Sequence, residues 1–176
     1  MFLARLSWMA LLSAILALLT IGSCAKQDVR FFVVDGAYVT NSLEKAQAET
    51  PFKITVPGYV PGKGANGPNF KGALMERQKD EKARVEISYQ YSGKPLIIIE
   101  ETNRVSGIPF LPGDPSIEQF SVGKAEIPVY INHSPDLQFG PGYEYWWSSA
   151  GVHFSGQTTG FSKDDVLKMI ASMING

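Results

Sequence analysis

Cysteine occurs once in this chain and histidine twice, and neither charge sign dominates. Each shortage excludes something. A lone Cys24 allows no disulfide framework, so the folded part must be held by its core. His133 and His153 stand about twenty residues apart with no second cysteine between them, so the usual zinc spacings are missing and no metal site is expected. Basic residues number 16 against 17 acidic, which gives no electrostatic reason to expect nucleic acid as a partner. The glycine-rich stretch PGKGANGP, residues 61 to 68, lacks the Lys-Ser/Thr pair and following helix of a phosphate loop and reads as loop punctuation. No Gly-x-Ser-x-Gly elbow occurs, and no cofactor motif is found, so neither catalytic nor cofactor-binding residues are assigned. Glu100 and Glu101 are not an acid/base pair, because adjacent strand positions point to opposite faces; both read as the solvated end of a strand. Asp164 and Asp165 suit the start of a helix and need no catalytic role. There is no internal repeat.

What the chain does have begins at its start. Arg5 precedes an uncharged stretch from Leu6 to Ile21, and Ile21-Gly22-Ser23 stands directly before Cys24. That is a signal-peptide layout. The apolar stretch is about 16 residues, shorter than the roughly 20 needed to span a bilayer, so a spanning anchor is the weaker reading. Ile21 to Cys24 resembles the bacterial lipobox, in which the cysteine sulfur receives a diacylglyceryl group and the chain is cut just before it. An ordinary secretory peptide with an incidental cysteine is the alternative, and it leaves an exported free thiol unexplained. On the lipobox reading residues 1–23 are a lipoprotein signal peptide, 24–30 a lipidated N-terminus and spacer, and 31–176 one globular domain. The membrane is then a partner through lipid on Cys24, since two or three acyl chains hold a soluble domain where one would do so only marginally. Arg5 leaves with the peptide, giving a mature charge near −2.

Hydrophobic residues at 44% and charged residues at 19% describe a globular chain with material for a core. Phe31 to Val34 reads as a strand. A short helix is expected after Asn41 or Ser42 and before Pro51, and FKITVPGYVPGKGANGP as a strand running into a Pro/Gly loop. ARVEISYQY alternates strictly, with Val85, Ile87, Tyr89 and Tyr91 on one face. A turn at Ser92 and Gly93 sets Tyr89 opposite Leu96 and Ile87 opposite Ile98, which sends Ile97 and Ile99 to the other face. In KAEIPVYIN, Ala125, Ile127, Val129 and Ile131 alternate inward, and Pro128 argues for an edge strand or a bulge.

In YEYWWSSAGVHFSG a turn centred on Ser149 and Ala150 sets Trp147 opposite Val152, Tyr145 opposite Phe154 and Trp146 opposite His153. The first two pairs face the core and the third faces out. FSKDDVLKMIASM is an amphipathic helix capped by Ser162 with Asp165 three residues on. Phe161 and Val166 stand at staple positions, and Val166, Met169, Ile170 and Met173 make one apolar stripe. The fold class is α+β: a mainly antiparallel sheet, a short N-terminal helix, and a C-terminal amphipathic helix packed on one face.

TPFKITVPGYVP, the β middle, WWSSAGVHFSG and FSKDDVLKMIASM together resemble the bacterial domain-of-unknown-function family 4367, over roughly Leu43 to Met173. Its members share a Phe/Pro-rich opening, a Trp before a Gly-centred hairpin, and a closing helix introduced by Ser and acidic residues. Such domains occur in exported lipoproteins and on the outer side of membrane proteins related to anti-sigma factors. The resemblance implies an envelope-facing sensing or binding module. Unlike the regulatory version, this sequence shows no cytoplasmic segment and no spanning helix.

Two functional classes follow. One is a non-enzymatic binding, scaffolding or sensing module on the bacterial cell envelope, lipid-anchored to the outer side of the cytoplasmic membrane or to the outer membrane. Its partner would be an envelope protein or polymer, met through the Pro/Gly loops or through an outer face holding Trp146, His153 and Tyr130. The alternative is an envelope hydrolase acting on cell-wall polymer with carboxylates drawn from different loops. Converging carboxylates in a cleft would favour the enzyme, and a bare aromatic patch would favour binding.

Overall fold

The structure, a computed structural model, describes residues 32–34, 37–62, 69–77, 82–91, 94–104, 114–137 and 140–176. Its elements, in chain order, are β1 (Phe32–Val34), β2 (Ala37–Thr40), α1 (Leu43–Ala48), β3 (Asn69–Arg77), β4 (Ala83–Tyr91), β5 (Lys94–Thr102), β6 (Ile117–Val122), β7 (Ile127–Leu137), β8 (Gly140–Ser149), β9 (Val152–Thr159) and α2 (Lys163–Ile174). The described strands form one antiparallel sheet in the order β1-β2-β3-β4-β5-β9-β8-β7-β6. The chain therefore builds inward from one edge to β5, crosses to the far edge at β6, and returns so that β9 closes against β5. The class is α+β, as the sequence indicates.

One face of the sheet is the core. Val85, Ile87, Ile97, Ile99, Val129, Ile131, Tyr145, Trp147 and Phe154 line it, and Val166, Met169, Ile170 and Met173 of α2 pack against them. The helical stripe and the strand alternation thus meet as expected. Ser162 caps α2, its Oγ accepting from the Asp165 amide at 3.2 Å. Ser42 caps α1, accepting from the Lys45 amide at 3.3 Å. Trp147 and Phe154 stack with ring centroids 4.7 Å apart. The Tyr145 ring lies over Gly156, where a Cβ would stand 2.7 Å from it, and the Tyr145 hydroxyl donates to the Ile98 carbonyl at 2.8 Å. Glycine is required there because a Cβ would press first on the Ile98 carbonyl oxygen and then on the Tyr145 ring bonded to it.

Several local expectations are corrected. In the β4–β5 hairpin Tyr91 pairs with Lys94, but Gln90 pairs with Leu96, so the ladder skips Pro95. Proline has no N–H to donate, and the extra residue is absorbed as a bulge. This one-residue slip reverses every later side chain: Ile87 faces Ile99 and Tyr89 faces Ile97, both pairs in the core, while Ile98 lies on the opposite face beside Ser88. In the β8–β9 hairpin the turn residues are Ala150 and Gly151, with φ of 49° and 78°. That is the two-residue primed turn matched to strand twist. It sets Trp147 opposite Phe154, Tyr145 opposite Gly156, Trp146 opposite Ser155 and Ser148 opposite His153. The shift here is two residues of pairing, so the faces assigned to Trp146 and Trp147 stand although their partners change.

β7 is not an edge strand, and its irregularity lies between Ser134 and Leu137 rather than at Pro128. β6, unforeseen in the sequence, takes the edge, and Pro128 lies one residue outside the β7–β8 pairing, which starts at Val129. Ala125 is exposed in the turn between β6 and β7, while Val129 and Ile131 are buried. β3 was likewise not foreseen; its pattern is interrupted by a bulge between Phe70 and Gly72.

FKITV is not a strand either. Its backbone pairs with the Gln47 side chain, whose Nε2 donates to the Phe52 carbonyl at 2.9 Å and whose Oε1 accepts from the Ile54 amide at 2.7 Å. With Pro51, Pro57 and Pro61 lacking donors, residues 51–62 cross the core face as an irregular segment, burying Ile54 and Val60.

Candidate functional site

The two helices and residues 51–62 contribute to the core face, so the opposite face is where strands β2 to β9 present their alternate side chains. Along one row across that face, paired positions run Val39, Leu74, Glu86, Glu100, Ser155, Trp146, Tyr130 and Gln119. Trp146 and Tyr130 are direct cross-strand neighbours on β8 and β7, both half-buried. Such aromatic pairs are close enough to act as one surface. His153 is on the same face but diagonal to Trp146 rather than opposite it. Its Nδ1 lies 2.8 Å from Ser148 Oγ on the paired residue. The three residues singled out from the sequence therefore share one face, with Trp146 and Tyr130 paired toward its β6 edge.

Beyond β9, on the same face, lies a charged patch. Arg84 pairs with Glu100 and, at 4.0 Å, with Glu76, while Arg104 reaches Glu76 at 3.2 Å and also donates to the Glu76 carbonyl at 3.3 Å. Glu86 stands directly opposite Glu100. Burial pushes the Glu86 carboxyl up, Arg84 draws it down, and the Glu100 and Glu76 charges push it up again. On the other flank Asn132 donates to Glu144 at 3.2 Å. The face thus combines an aromatic pair with carboxylates partly balanced by arginine.

Glu100 and Glu101 do point to opposite faces, but Glu101 is not solvated. It is fully buried on the core face, between Val85 on β4 and Phe154 on β9. Both of its carboxyl oxygens accept from the Thr55 amide, at 3.1 and 3.0 Å. Burial pushes its pKa up to about 8, against the opposing pull of the Thr55 N–H. The sequence reading missed this residue because it followed a register without the Pro95 bulge. The parity Ile97, Ile99, Glu101 would have shown it.

His133 lies beside Tyr143, ring edge toward ring face at 5.3 Å, on the sheet face opposite to that of His153. Among the described residues, no three His, Cys, Asp or Glu side chains are placed to hold a metal ion. No helix among them is long and apolar enough to cross a membrane. Residues 1–31, with Arg5, the Ile21 to Cys24 motif and Cys24 itself, lie outside the described residues. The chain matches no family model, no curated protein and no solved structure.

Proposed function

We propose that the protein is an envelope lipoprotein, tethered by lipid on Cys24, whose domain is a non-enzymatic binding, scaffolding or sensing module resembling the exported members of family 4367. Its contact surface is the outer sheet face around Trp146, Tyr130 and His153, and its partner is an envelope protein or polymer. The observation that carries this reading is the direct Trp146–Tyr130 pair on the face turned away from the helices. Half-buried tryptophan and tyrosine are common anchors of protein contacts, because they add large rigid area at little entropic cost.

Pull-down of the intact lipoprotein from its own envelope tests the surface. The wild type should retain a protein or polymer that a folded Trp146→Ala variant loses; unchanged partners for that variant would reject the face. The tether is tested separately. Cys24→Ser should leave the membrane fraction, and retention of that variant with its apolar segment uncleaved would indicate a spanning anchor instead.

The hydrolase reading has one observation in its favour. Glu86 and Glu100 are paired across β4 and β5, with Glu86 held toward its protonated form and Glu100 bound to Arg84. Environments that treat two neighbouring carboxyls differently are a mark of acid/base sites. Release of soluble fragments from cell-wall polymer, abolished by Glu86→Gln in a folded protein, would support this reading over the binding module.

A further inference from the structure

Residues 51–62 cross the core face without entering the sheet, and side chains of three other elements hold them there. Gln47 of α1 binds Phe52 and Ile54. Glu101 of β5 accepts the Thr55 amide with both oxygens. From α2, Ser172 Oγ accepts the Tyr59 amide at 3.0 Å and Asp165 accepts the Tyr59 hydroxyl at 2.8 Å. The middle of these ties is the one made to a carboxyl group inside the core. A buried carboxyl on a β-strand whose bond to Thr55 holds a segment with no ladder of its own is a structural joint that a proton can set.

We propose that residues 51–62 are a strap latched by Glu101: protonated, the side chain stays in the core and holds the Thr55 amide, and once ionised it draws in water and the strap lifts while the sheet stays folded. The groups around Glu101 leave it as the one that titrates in the relevant range. On the same face β4 brings Val85 and Tyr89, β9 brings Phe154, β8 brings Tyr145 and β3 brings Met75. The Tyr89 phenol is pushed up to about 12, first by burial and then by the Glu101 charge. Tyr145 is raised further, again by burial first, so both phenols stay neutral. In α2, Asp165 is held below the usual carboxylate range by the Ser162 and Tyr59 hydroxyls and stays ionised. Lys53 in the strap and Lys168 in α2 are exposed, and α1 carries Glu44 and Lys45, with Glu49 as its C-cap. His153 faces the other side of the sheet, and His133 of β7, on the same side as Glu101, is exposed beside Tyr143.

The sign follows from Glu101 binding its proton more tightly when the strap is closed, near 8, than at the ordinary 4.5 when hydrated. The closed strap is fully favoured below pH 4.5, and opening grows about tenfold per pH unit up to about 8 and then levels off. The strap is thus tightest in acid and loosens toward alkaline pH.

Hydrogen exchange of the full-length protein, corrected for intrinsic rates, tests the latch. Between pH 6 and pH 9 the amides of residues 51–62 should lose protection by about a hundredfold, while β4, β5, β8 and β9 keep theirs. Glu101→Gln, which retains an acceptor for Thr55 but cannot ionise, should keep the strap protected at both pH values. Equal loss in Glu101→Gln, or loss spread over the sheet together with the strap, overturns the proposal. Should Glu101→Gln fail to fold, carboxyl carbon NMR on the wild type decides: a Glu101 midpoint near 8 accompanied by a shift of the Thr55 amide supports the latch, and a midpoint near 4.5 overturns it.

Discussion

Trp146 and Trp147 are neighbours in sequence and share a strand, yet they belong to the two faces of the sheet. On the inner face Trp147 is 4% exposed and stacked on Phe154, in a layer that α2 covers with Val166, Met169, Ile170 and Met173. On the outer face Trp146 is half-buried beside Tyr130, on the same face as the Arg84–Glu100 ion pair two strands away. Composition is not what separates the two, since each face holds tryptophan, tyrosine and glutamate. The period of two along a strand decides which residue is packed and which is presented. Burial raises the proton affinity of the inner glutamate, Glu101, against the pull of the Thr55 amide, and also that of Glu86 on the outer face; Glu76 and Glu100 on the outer face meet arginine.

Substitutions on each face should break the comparison in order of size. Met169→Asp inserts a carboxylate into the covered layer and should cost more than about 4 kcal/mol, enough to unfold a domain of ordinary stability. Denaturant titration would check it, and a folded Met169→Asp of wild-type stability would detach α2 from the sheet. Glu101 should make global stability pH-dependent. Its folded pKa of about 8 lies above the ordinary 4.5, so its contribution is fully present below pH 4.5 and is lost as pH rises through 8. The loss is up to about 5 kcal/mol if the sheet stays closed over the charge, and less where the strap lifts. Glu101→Gln should flatten this part of the pH profile. Lys168→Asp, on the exposed side of α2, should move stability by no more than about 0.5 kcal/mol. An effect as large as that of Met169→Asp would rotate the helix.

Much of the inner face was legible in the sequence. The 3.6-residue recurrence in α2 and the strict alternation of β4 each name a buried stripe, and Ser42 and Ser162 mark the helix starts by the chemistry of capping. The outer face followed wherever parity survived. In β8–β9 the pairing was misjudged by an even number of positions, so Trp146 and Trp147 kept their faces. In β4–β5 the odd slip at Pro95 reversed them and hid Glu101. β3 and β6 went unseen for a related reason: Gly72 sits at a bulge, and β6 is an edge strand whose alternation, Glu118, Phe120 and Val122 against Ile117, Gln119 and Ser121, carries little hydrophobic contrast. The strap was invisible as such, because its partners are side chains far away in sequence, among them Glu101, Asp165 and Ser172.

Chemical unfolding of Trp147→Ala and Trp146→Ala side by side, under one set of conditions, tests the division of the sheet on which the binding face depends. Trp147→Ala should lose roughly 3 to 5 kcal/mol through the cavity left against Phe154, while Trp146→Ala should stay within about 1 kcal/mol of the wild type. A Trp146→Ala that unfolds while Trp147→Ala does not would contradict the account, for it would turn the proposed contact surface into the core.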